Sequence, residues 1–473
     1  MHSGSGVPHE QAPGATAPSR AEPSFWLDRL GSRRPRPGLV GERTADVCIV
    51  GGGFTGLWTA YELRRANPAL EVVVLEAREV GFGASGRNGG WVLGVISGSA
   101  RAWERHGGPG AARAMAAAIR DTVGEVGAAV EREGIDCDWR QGGTLHVAQS
   151  EPQLRRLREL LEAERRELGE ELAPELLDES ALAERIRVDR ARGALFDPHC
   201  ARVQPAKLVV GLADAAERAG AQIFESSRVT AIEPGMARTS GGLVRARHVL
   251  RATEGYTADL PGTRRLLMPI NSSMIVTEPL TDSDWERIGW EGAETLLDGA
   301  HLYTYSQRTA DGRIAIGGRG VPYRFGSKTD REGPVPPQTV QELRGRLGEL
   351  FGSLREVRVA RAWHGVLGVA RDWCPTVGLD RTTGMGWAGG YAGEGVAAAN
   401  LAGRTLRDLV LGRDTDLTRL PWVGSPAREW EPEPLRFIAA RGIYGLYRLA
   451  DRRESASGRE SRVAAVADRV AGR

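Results

Sequence analysis

Two runs of hydrophobic residues near the start of the chain have the pattern of buried strands. Residues 45–50 (ADVCIV) and 70–75 (LEVVVL) are rich in β-branched residues, as expected for strands that are covered on both faces. Between them, apolar residues recur at helical spacing from about Thr55 to Leu63. The order strand, helix, strand predicts a βαβ unit with two parallel strands.

Similar elements return later in the chain, separated by segments of a different character. Residues 205–220 predict a helix with proline in its first turn and glycine at its end, and short strands are predicted at 222–224 and 248–253. By contrast, residues 100–190 predict helices rich in arginine and glutamate, and residues 265–330 are rich in strand-forming segments. This alternation predicts a nucleotide-binding domain built from separated stretches, with a second domain inserted in two pieces.

The predicted fold class is α/β together with α+β: a Rossmann-type domain assembled from discontinuous segments, with an inserted antiparallel-sheet domain. A disordered tail precedes it, because the first residues are mostly Gly, Pro, Ser and Ala. The segment SFWLDRL at 24–30 is expected to dock as a small helix. The predicted ranges are 1–23 for the tail, 44–100, 200–264 and 360–411 for the nucleotide domain, 101–199 and 265–359 for the substrate domain, and 412–473 for a C-terminal helical extension.

Composition narrows the class of protein without identifying it. The chain has 473 residues, 41% of them hydrophobic, and 63 basic against 61 acidic side chains leave a net charge of +2. This balance gives no indication of a nucleic-acid partner. The cysteines Cys48, Cys137, Cys200 and Cys374 form no CxxC pair, which favours reduced thiols in a cytoplasmic protein. No metal site is predicted, since His199 and Cys200 have no partner at ligand spacing.

The turn after the first predicted strand carries a GxGxxG sequence from Gly51 to Gly56. Gly51 permits the tight turn, Gly53 lets a pyrophosphate approach the backbone, and Gly56 lets the helix pack closely on the strand. The helix N-terminus offers N–H groups and a partial positive charge to phosphate. Glu76, at the end of the second strand, is placed to accept from both ribose hydroxyls, and its charge disfavours a 2′-phosphate. The motif predicts a dinucleotide site without separating FAD from NAD.

Two further glycine-rich segments favour FAD. Residues 81–91 (GFGASGRNGGW) crowd small and polar residues directly after Glu76, so that backbone amides and side chains can follow a long extended cofactor. Residues 389–396 (GGYAGEGV) lead into a predicted helix, whose N-terminal dipole suits the pyrimidine edge of a flavin, because negative charge develops there on reduction. The spacing GxGxxG also occurs at 81–86 and 384–389, but neither match lies in a second strand–turn–helix unit like that at 45–66. A separate NAD(P)H domain is therefore not expected, and the reductant is expected to be the organic substrate itself.

These blocks together resemble the D-amino-acid oxidase (DAO) superfamily of FAD-dependent oxidoreductases, in particular its γ-glutamylputrescine oxidase-like branch. The resemblance covers roughly residues 44–411 and rests on ADVCIVGGGFTGLWTAYEL, VVVLEAREVGFGASGRNGG and YAGEGVAAANLAGRTL. The segments GIDCDWRQGG, IGGRGVPYRFGS, WHG and DWCPTVG also match. The resemblance implies an FAD-binding domain, an antiparallel-sheet substrate domain, and an active site between them on one face of the flavin.

The resemblance also indicates how the cofactor is held and what is oxidised. Relatives that bind flavin through cysteine carry it at the position of Gly365, and those that bind it through histidine carry it within 85–90, where this chain has none. Noncovalent FAD is therefore expected. Amino-acid oxidases of the family usually place an arginine for the substrate carboxylate at the position of Leu367. This departure favours an amine or N-substituted amine over a free α-amino acid.

The predicted FAD contacts combine the glycine-rich segments with residues that the resemblance implies, among them Val229 and Ala252-Thr253 near the adenosine half. They are Gly51, Gly53, Phe54, Thr55, Gly56, Glu76, Ala77, Arg78, Ala84, Ser85, Gly86, Arg87, Asn88, Gly89, Gly90, Val229, Ala252, Thr253, Gly365, Gly390, Tyr391, Gly393, Glu394, Gly395 and Val396.

Four residues are candidates for catalysis. Tyr303 and Tyr305 are expected to alternate on a strand and face the flavin, or else to pack as an aromatic pair. His364 is either a base or a structural histidine. Glu394 either attracts a cationic amine or caps the helix that begins near Val396. Arg319, between two glycines, contacts the substrate or lies on a solvated edge.

The predicted reaction is oxidation of the C–N bond of an amine or N-substituted amine by hydride transfer to FAD. The product imine would hydrolyse, and O₂ or another acceptor would reoxidise the flavin. Three alternatives stay open: an FAD-dependent amino-acid oxidase or dehydrogenase, an NAD-dependent Rossmann dehydrogenase, and a non-catalytic flavoprotein. Arginines flank apolar residues at 435–452, so this helix is expected either to dock on the FAD domain or to contact a membrane surface.

Overall fold

The computed structural model of the protein describes residues 23–318, 323–329, 334–424, 427–461, 463–464 and 467. Residues 1–22 of the predicted tail, and Arg319, lie outside the described residues. Within these ranges, no helix is both long enough and apolar enough to span a membrane.

Helices and strands alternate along most of the described chain. The strands, in chain order, are β1 Gly41–Val50, β2 Val72–Leu75, β3 Trp91–Leu93, β4 Thr144–Ala148, β5 Glu175–Leu177, β6 Gly193–Asp197, β7 Cys200–Arg202, β8 Gln222–Phe224, β9 Val229–Glu233, β10 Met236–Thr239, β11 Gly242–Arg251, β12 Met268–Thr277, β13 Thr295–Asp298, β14 Tyr305–Arg308, β15 Ile314–Gly318, β16 Val359–Val369, β17 Thr376–Asp380 and β18 Met385–Gly389. The α-helices are α1 Phe25–Asp28, α2 Phe54–Ala66, α3 Ala100–Gly107, α4 Ala111–Glu133, α5 Glu151–Leu168, α6 Glu179–Ala183, α7 Pro205–Arg218, α8 Asp282–Ile288, α9 Pro337–Leu350, α10 Gly395–Val410 and α11 Leu435–Ser457.

The first sheet has the strand order β17–β18–β11–β1–β2–β8, with β9 and β10 attached through β11. β1 pairs in parallel with both neighbours, so that Val47 lies opposite Val72 on one side and His248 on the other. The predicted βαβ unit is confirmed, and so are the strands expected near 222 and 248. The parallel strands bring their carboxyl ends to one edge of the sheet, where ligands bind in folds of this kind.

The second sheet has the order β16–β12–β15–β14–β13–β4–β6–β5. It was predicted to be antiparallel, and this is wrong for one pair, because β13 runs parallel to β4 with Leu296 opposite Leu145. The two strands are separated by the whole stretch from Ala148 to Thr295, so no tight turn forces them into opposite directions. Residues 359–369 form the edge strand β16 of this sheet, although 360–411 was assigned to the nucleotide domain.

Helices α2 and α10 pack on one face of the first sheet and against each other. Leu57 and Leu401 are fully buried in the same cluster, and burial of each such side chain contributes about 1.5–3 kcal/mol. A Cβ on Gly403 would lie 2.7 Å from that of Trp58, so glycine permits the close crossing. Helix α4 shares this core through Met115, although it was assigned to the substrate domain. The packing holds the N-termini of α2 and α10 at the carboxyl edge of the sheet.

The predicted small helix near residue 25 is confirmed as α1 and supports the loop that follows β2. The ring of Trp26 contacts that of Trp363 edge to face, with 5.9 Å between their centroids. The Trp26 indole N–H donates to the carbonyl oxygen of Asn88 at 2.9 Å, and the Ser24 hydroxyl donates to that of Gly86 at 2.6 Å. These contacts tie the glycine-rich loop to the second sheet.

The predicted C-terminal helix is confirmed as α11 and extends to Ser457. Its buried carboxylate, Glu454, accepts from Arg156 at 2.9 Å and contacts His301 at 3.0 Å. Arg156 belongs to α5 and His301 follows β13. The helix therefore docks beside the second sheet, and its Ala440 also shares a buried cluster with Ala392 of the segment before α10. The expected docking on the FAD domain stays a prediction.

Candidate active site

A cavity of about 380 Å³ lies at the carboxyl ends of β1, β2 and β11. Its wall combines the turn after β1, the loop after β2 and the segment before α10. Most of the predicted cofactor contacts therefore meet around one space. Those that line it are Gly51, Gly53, Phe54, Thr55, Glu76, Ala77, Arg78, Ala84, Ser85, Asn88, Val229, Ala252, Thr253, Tyr391, Gly393, Gly395 and Val396.

Three glycines at the turn after β1 meet different steric demands. Gly51 has a φ of +119°, and a Cβ there would clash with the carbonyl oxygen of Ala252. A Cβ on Gly56 would meet the carbonyl oxygen of Gly51, so Gly56 serves the close packing of helix on strand. A Cβ on Gly52 would lie 2.9 Å from that of Glu76. The middle glycine thus makes room for the acidic residue, a demand that the motif alone does not predict.

The carboxylate of Glu76 is held by backbone groups at the end of β2. It accepts hydrogen bonds from the N–H groups of Gly52 at 2.8 Å and Arg78 at 2.9 Å. Burial raises the pKa of Glu76, and the two N–H donors oppose that rise. Because the residue also lines the cavity, its position fits a carboxylate that accepts from ribose hydroxyls.

The N-terminus of α2 faces the cavity with one donor already engaged. Its N-cap residue, Gly53, has no side chain, and the Ser85 hydroxyl accepts from the Phe54 N–H at 2.8 Å. The hydroxyl oxygen of Ser85 therefore lies at the N-terminus of α2, where the helix dipole also favours a phosphate oxygen. A hydroxyl can also rotate to donate to such an oxygen. The turn fits a pyrophosphate group.

The N-terminus of α10 lies at the same cavity. Thr55 in the first turn of α2 contacts Tyr391 through their hydroxyl oxygens at 3.1 Å. Gly393, with a φ of +116°, and Gly395 line the cavity directly before and within the first turn of α10. The positive end of this helix is thereby directed at the ligand space, which fits the pyrimidine edge of a flavin.

A half-buried residue with a carboxyl group, which the sequence did not single out, lies shortly after β11. Glu254 accepts from the N–H groups of Gly390 at 2.8 Å, Gly368 at 3.2 Å and Tyr391 at 3.3 Å. Burial raises the pKa of Glu254 to about 7 despite these three donors. Its φ is +44°, a conformation that non-glycine residues rarely adopt. Glu254 lines the cavity and ties the ends of β11 and β16 to the segment before α10.

Some predicted cofactor contacts lie behind the cavity wall. Arg87 is buried and donates to the carbonyl oxygens of Phe82 at 2.8 Å and His364 at 3.2 Å. A Cβ on Gly89 would lie 2.9 Å from the ring of Tyr305. These residues pack the loop on the second sheet, and their contact with a cofactor stays a prediction. The predicted contacts outside the lining are Gly56, Gly86, Arg87, Gly89, Gly90, Gly365, Gly390 and Glu394.

The two candidate tyrosines are not placed alike. Tyr305 begins β14, its hydroxyl oxygen lies 3.1 Å from that of Ser272, and its ring contacts Trp91 edge to face. Tyr303 precedes β14, so the predicted alternation of both tyrosines on one strand is wrong. The preceding turn is closed by Asp298, which accepts from the Thr304 N–H at 3.1 Å and keeps residue 303 out of the strand ladder. Neither tyrosine lines the cavity.

The other two catalytic candidates also lie outside the cavity lining. His364 is buried on β16 opposite Ser273, and its backbone oxygen accepts from Arg87, which favours a structural histidine. Glu394 is the N-cap residue of α10, but its side chain makes no capping hydrogen bond. Glu394 thus has the predicted N-cap position without the side-chain hydrogen bond of a cap, and attraction of a cationic amine stays a prediction.

Part of the cavity wall was not predicted from the sequence. Residues 254–261 follow a parallel strand, and the rule that ligands bind beyond the carboxyl ends of such strands could have identified them. Arg228 and Thr230 flank the predicted Val229 and carry no signal of their own. The lining residues that were not predicted as contacts are Val50, Leu75, Phe82, Gly83, Arg228, Thr230, Glu254, Tyr256, Asp259, Leu260, Pro261, Val366, Leu367 and Ala399.

The cavity lies at the carboxyl edge of a sheet whose central strands are parallel. A glycine-rich turn, an acidic residue after the second strand and a second helix N-terminus at this cavity define a dinucleotide-dependent oxidoreductase. The chain belongs to the family of FAD dependent oxidoreductases (DAO), which it matches over residues 46–409. The protein is thus an FAD-dependent oxidoreductase, and the alternative of an NAD-dependent dehydrogenase is wrong.

The chain is similar to several members of this family along most of its length. It is 36% identical to the gamma-glutamylputrescine oxidoreductase of Escherichia coli (strain K12) over 395 residues, 82% of this chain and 89% of the relative. It is 24% identical to the glycine oxidase of Bacillus licheniformis over 382 residues, 78% of this chain and 93% of the relative. The crystal structure of glycine oxidase from Geobacillus kaustophilus matches with a TM-score of 0.67 at 22% identity, over 82% of this chain and 100% of that one. The predicted family and fold class are confirmed.

Proposed function

We propose that this protein oxidises the C–N bond of an amine or N-substituted amine, with hydride transfer to noncovalently bound FAD. By their names, the relatives act on gamma-glutamylputrescine and on glycine, both of which carry an amino group. The observation that carries the proposal is a single cavity that runs from Glu76 to Leu367 and includes the N-termini of α2 and α10. Such a cavity suits an extended flavin dinucleotide with room for a small substrate at one end.

The cavity wall beside Leu367 supports the proposal that the part of the substrate in contact with it carries no carboxylate. Leu367 and its neighbour Val366 are apolar, whereas the arginines of the wall, Arg78 and Arg228, follow β2 and precede β9. A carboxylate against Leu367 would lose its hydration without gaining a guanidinium partner, which is costly. Glu394, directly before α10, supports a cationic amine as the species that approaches.

Bound FAD would supply the hydride acceptor. The chain must hold the amine with its C–H bond about 3–3.5 Å from that acceptor and exclude water. Contact with the apolar Leu367 lowers the pKa of a bound amine and favours its neutral, reactive form. The ammonium proton is released to solvent as the amine binds, and the N-terminus of α10 stabilises the negative charge that reduction creates. The imine product hydrolyses after release, and O₂ is the acceptor we propose for reoxidation.

Noncovalent attachment is supported by the composition of the wall. No cysteine or histidine is found among the described residues that line the cavity, and these are the side chains that attach flavin covalently in related proteins. Acid precipitation of the purified protein should release all FAD into the supernatant. A yellow pellet would contradict noncovalent binding.

The proposed reaction is tested by anaerobic mixing of the FAD-loaded protein with polyamines, N-methyl amines and α-amino acids. We expect rapid loss of the visible flavin absorbance with one of the amine classes and slow or no loss with α-amino acids. Rapid bleaching by a free α-amino acid alone would contradict the amine assignment and favour the amino-acid oxidase alternative. Readmission of O₂ should restore the absorbance with formation of peroxide.

The predicted domain division stays a proposal, with two modifications that strand pairing and packing support. Strand β16 pairs with β12 in the second sheet, so we place 359–369 in the substrate domain. Helix α4 shares its core with α2 and α10, so we place 111–133 with the FAD-binding domain.

A further inference from the structure

Three potential metal ligands from distant parts of the chain meet outside the FAD cavity. His106 lies in the last turn of α3, and Asp372 and Cys374 lie in the turn between β16 and β17. One ligand atom from each of the three lies within 4.8 Å of the others. The Nε2 atom of His106 is 2.8 Å from Oδ2 of Asp372. We propose that His106, Asp372 and Cys374 bind one divalent transition-metal ion of the zinc class.

The ligand set selects the class of ion. A thiolate and an imidazole are soft or borderline donors that favour Zn²⁺ and its neighbours over Mg²⁺ or Ca²⁺, which prefer oxygen alone. Zn²⁺ binds cysteine sulfur at about 2.3 Å and histidine nitrogen or carboxylate oxygen at about 2.0–2.2 Å. Because the three ligand atoms already lie close together, small side-chain rotations bring all of them to these distances.

The surroundings orient the ligands for one ion. The Cys374 N–H donates to Oδ1 of Asp372 at 3.2 Å, which leaves Oδ2 directed at His106. The ring of Trp103 contacts the His106 imidazole, with 6.0 Å between centroids. Gly98 leaves open the space where a Cβ would lie 2.7 Å from the Cys374 sulfur. In known metal sites, contacts with neighbouring residues orient the side chains that bind the metal.

The cluster is closed on the thiol side and open on the other. Cys374 is buried, whereas the side chains of His106 and Asp372 are 23% and 29% exposed. An ion can therefore enter from solvent, and water can complete a four-coordinate shell. Because the thiolate is the form of cysteine that binds metal, formation of the metal–sulfur bond releases one thiol proton to solvent.

The position of the cluster gives the ion a structural role near the cofactor. It joins α3 to the turn that leads into β17, and Pro375 of this turn lies 3.6 Å from where a Cβ on Gly390 would be. Gly390 belongs to the segment that precedes α10. A bound ion would thus brace this segment without touching the reacting atoms, and the proposed amine oxidation does not depend on it.

The chain contains a matched comparison for the test. His199 and Asp197 form a second pair, with Nδ1 of His199 2.8 Å from Oδ1 of Asp197, but no three-ligand cluster includes them among the described residues. His199→Gln therefore removes a histidine–aspartate pair without removing the proposed site. Cys137, which is also buried, supplies the control Cys137→Ser.

The test uses the FAD-loaded protein, freed of metal with a chelator and dialysed against Zn²⁺ or Co²⁺. We expect one ion per chain, a cobalt–thiolate absorption band in the Co²⁺ form, and a higher Tm with the ion. Cys374→Ser and His106→Gln should each weaken binding at least tenfold and remove the band or reduce it. Cys137→Ser and His199→Gln should bind as the unchanged protein does.

The proposal would be overturned by the absence of stoichiometric binding to the unchanged protein, or by undiminished binding to both Cys374→Ser and His106→Gln. Equal loss in His199→Gln would also overturn it, because it would indicate a different site. FAD content and circular dichroism show whether each variant is folded. Since His106 is partly exposed, His106→Gln keeps the proposal testable if Cys374→Ser does not fold.

Discussion

The hydroxyl groups of Thr55 and Tyr391 lie 3.1 Å apart and are buried, although 336 positions separate the two residues in the chain. Thr55 lies in the first turn of α2, and Tyr391 precedes α10. Burial raises the pKa of Tyr391, so the phenol stays neutral. The pair links the predicted pyrophosphate end of the cavity to the predicted flavin end.

Loss of this hydrogen bond should weaken cofactor binding. Tyr391→Phe and Thr55→Val each remove one partner, and a hydrogen bond contributes about 0.5–1.5 kcal/mol, so we expect an increase of roughly 2- to 12-fold in the Kd for FAD. Titration of the cofactor-free protein with FAD measures this Kd. The double variant should lose less binding free energy than the sum of the losses in the two single variants. Strict additivity of the losses would contradict a direct interaction between the two hydroxyl groups.

The middle glycine of the turn should be as sensitive as the glycines of the motif. Gly52→Ala would place a Cβ 2.9 Å from that of Glu76, so we expect a loss of about 1–3 kcal/mol in the free energy of unfolding and weaker FAD binding. Gly124→Ala is the control, because Gly124 lies in α4 with nothing within 4 Å of its missing Cβ. Gly124→Ala should increase the free energy of unfolding by up to about 1 kcal/mol. Equal effects of the two variants would contradict the steric argument.

The ionisation of Glu254 should make stability depend on pH. Burial raises its pKa to about 7 from an ordinary value of 4.5. Between pH 4.5 and pH 7 the folded protein holds a proton on Glu254 that the unfolded chain has released. The contribution of Glu254 to the free energy of unfolding therefore falls as the pH rises toward 7 and is constant above it. The full change in the free energy of unfolding is about 3 kcal/mol.

Urea unfolding at several pH values between 5 and 8 measures this effect. In Glu254→Gln the free energy of unfolding should no longer decrease for this reason as the pH rises. The free energy of unfolding of Glu254→Gln, relative to that of the unchanged protein, should therefore increase with pH. Glu175→Gln, at an exposed position of β5, controls for loss of a carboxylate. Parallel curves for the unchanged protein and Glu254→Gln would show that Glu254 does not titrate in this range.

Substrate preference should respond to Leu367. Leu367→Arg supplies a guanidinium to the half-buried position that lines the cavity, and a charged hydrogen bond contributes about 1.5–3 kcal/mol. We expect kcat/KM for amines that carry a carboxylate to rise at least tenfold relative to amines without one. Leu260→Arg, at another lining position, should leave this ratio unchanged. If Leu367→Arg leaves this kcat/KM ratio unchanged, the substrate does not bind next to residue 367.

The sequence by itself determined the features whose residues are close in the chain. The strand, turn and helix from 45 to 66, the acidic residue at the end of β2 and the glycine-led start of α10 were all predicted, because turn geometry and hydrophobic period are local properties. The predicted lining residues of the turn after β1 and the loop after β2 follow from the same local patterns.

Only the tertiary structure decided which distant groups meet. Glu254, the contact of Thr55 with Tyr391, and the approach of His106 to Cys374 each join segments that no periodicity relates. Tyr303 left its predicted strand because a side chain, Asp298, closed the turn before it. Hydrophobic patterns specify which face of an element is buried, but the partner of each face depends on how sheets and helices pack around a shared core.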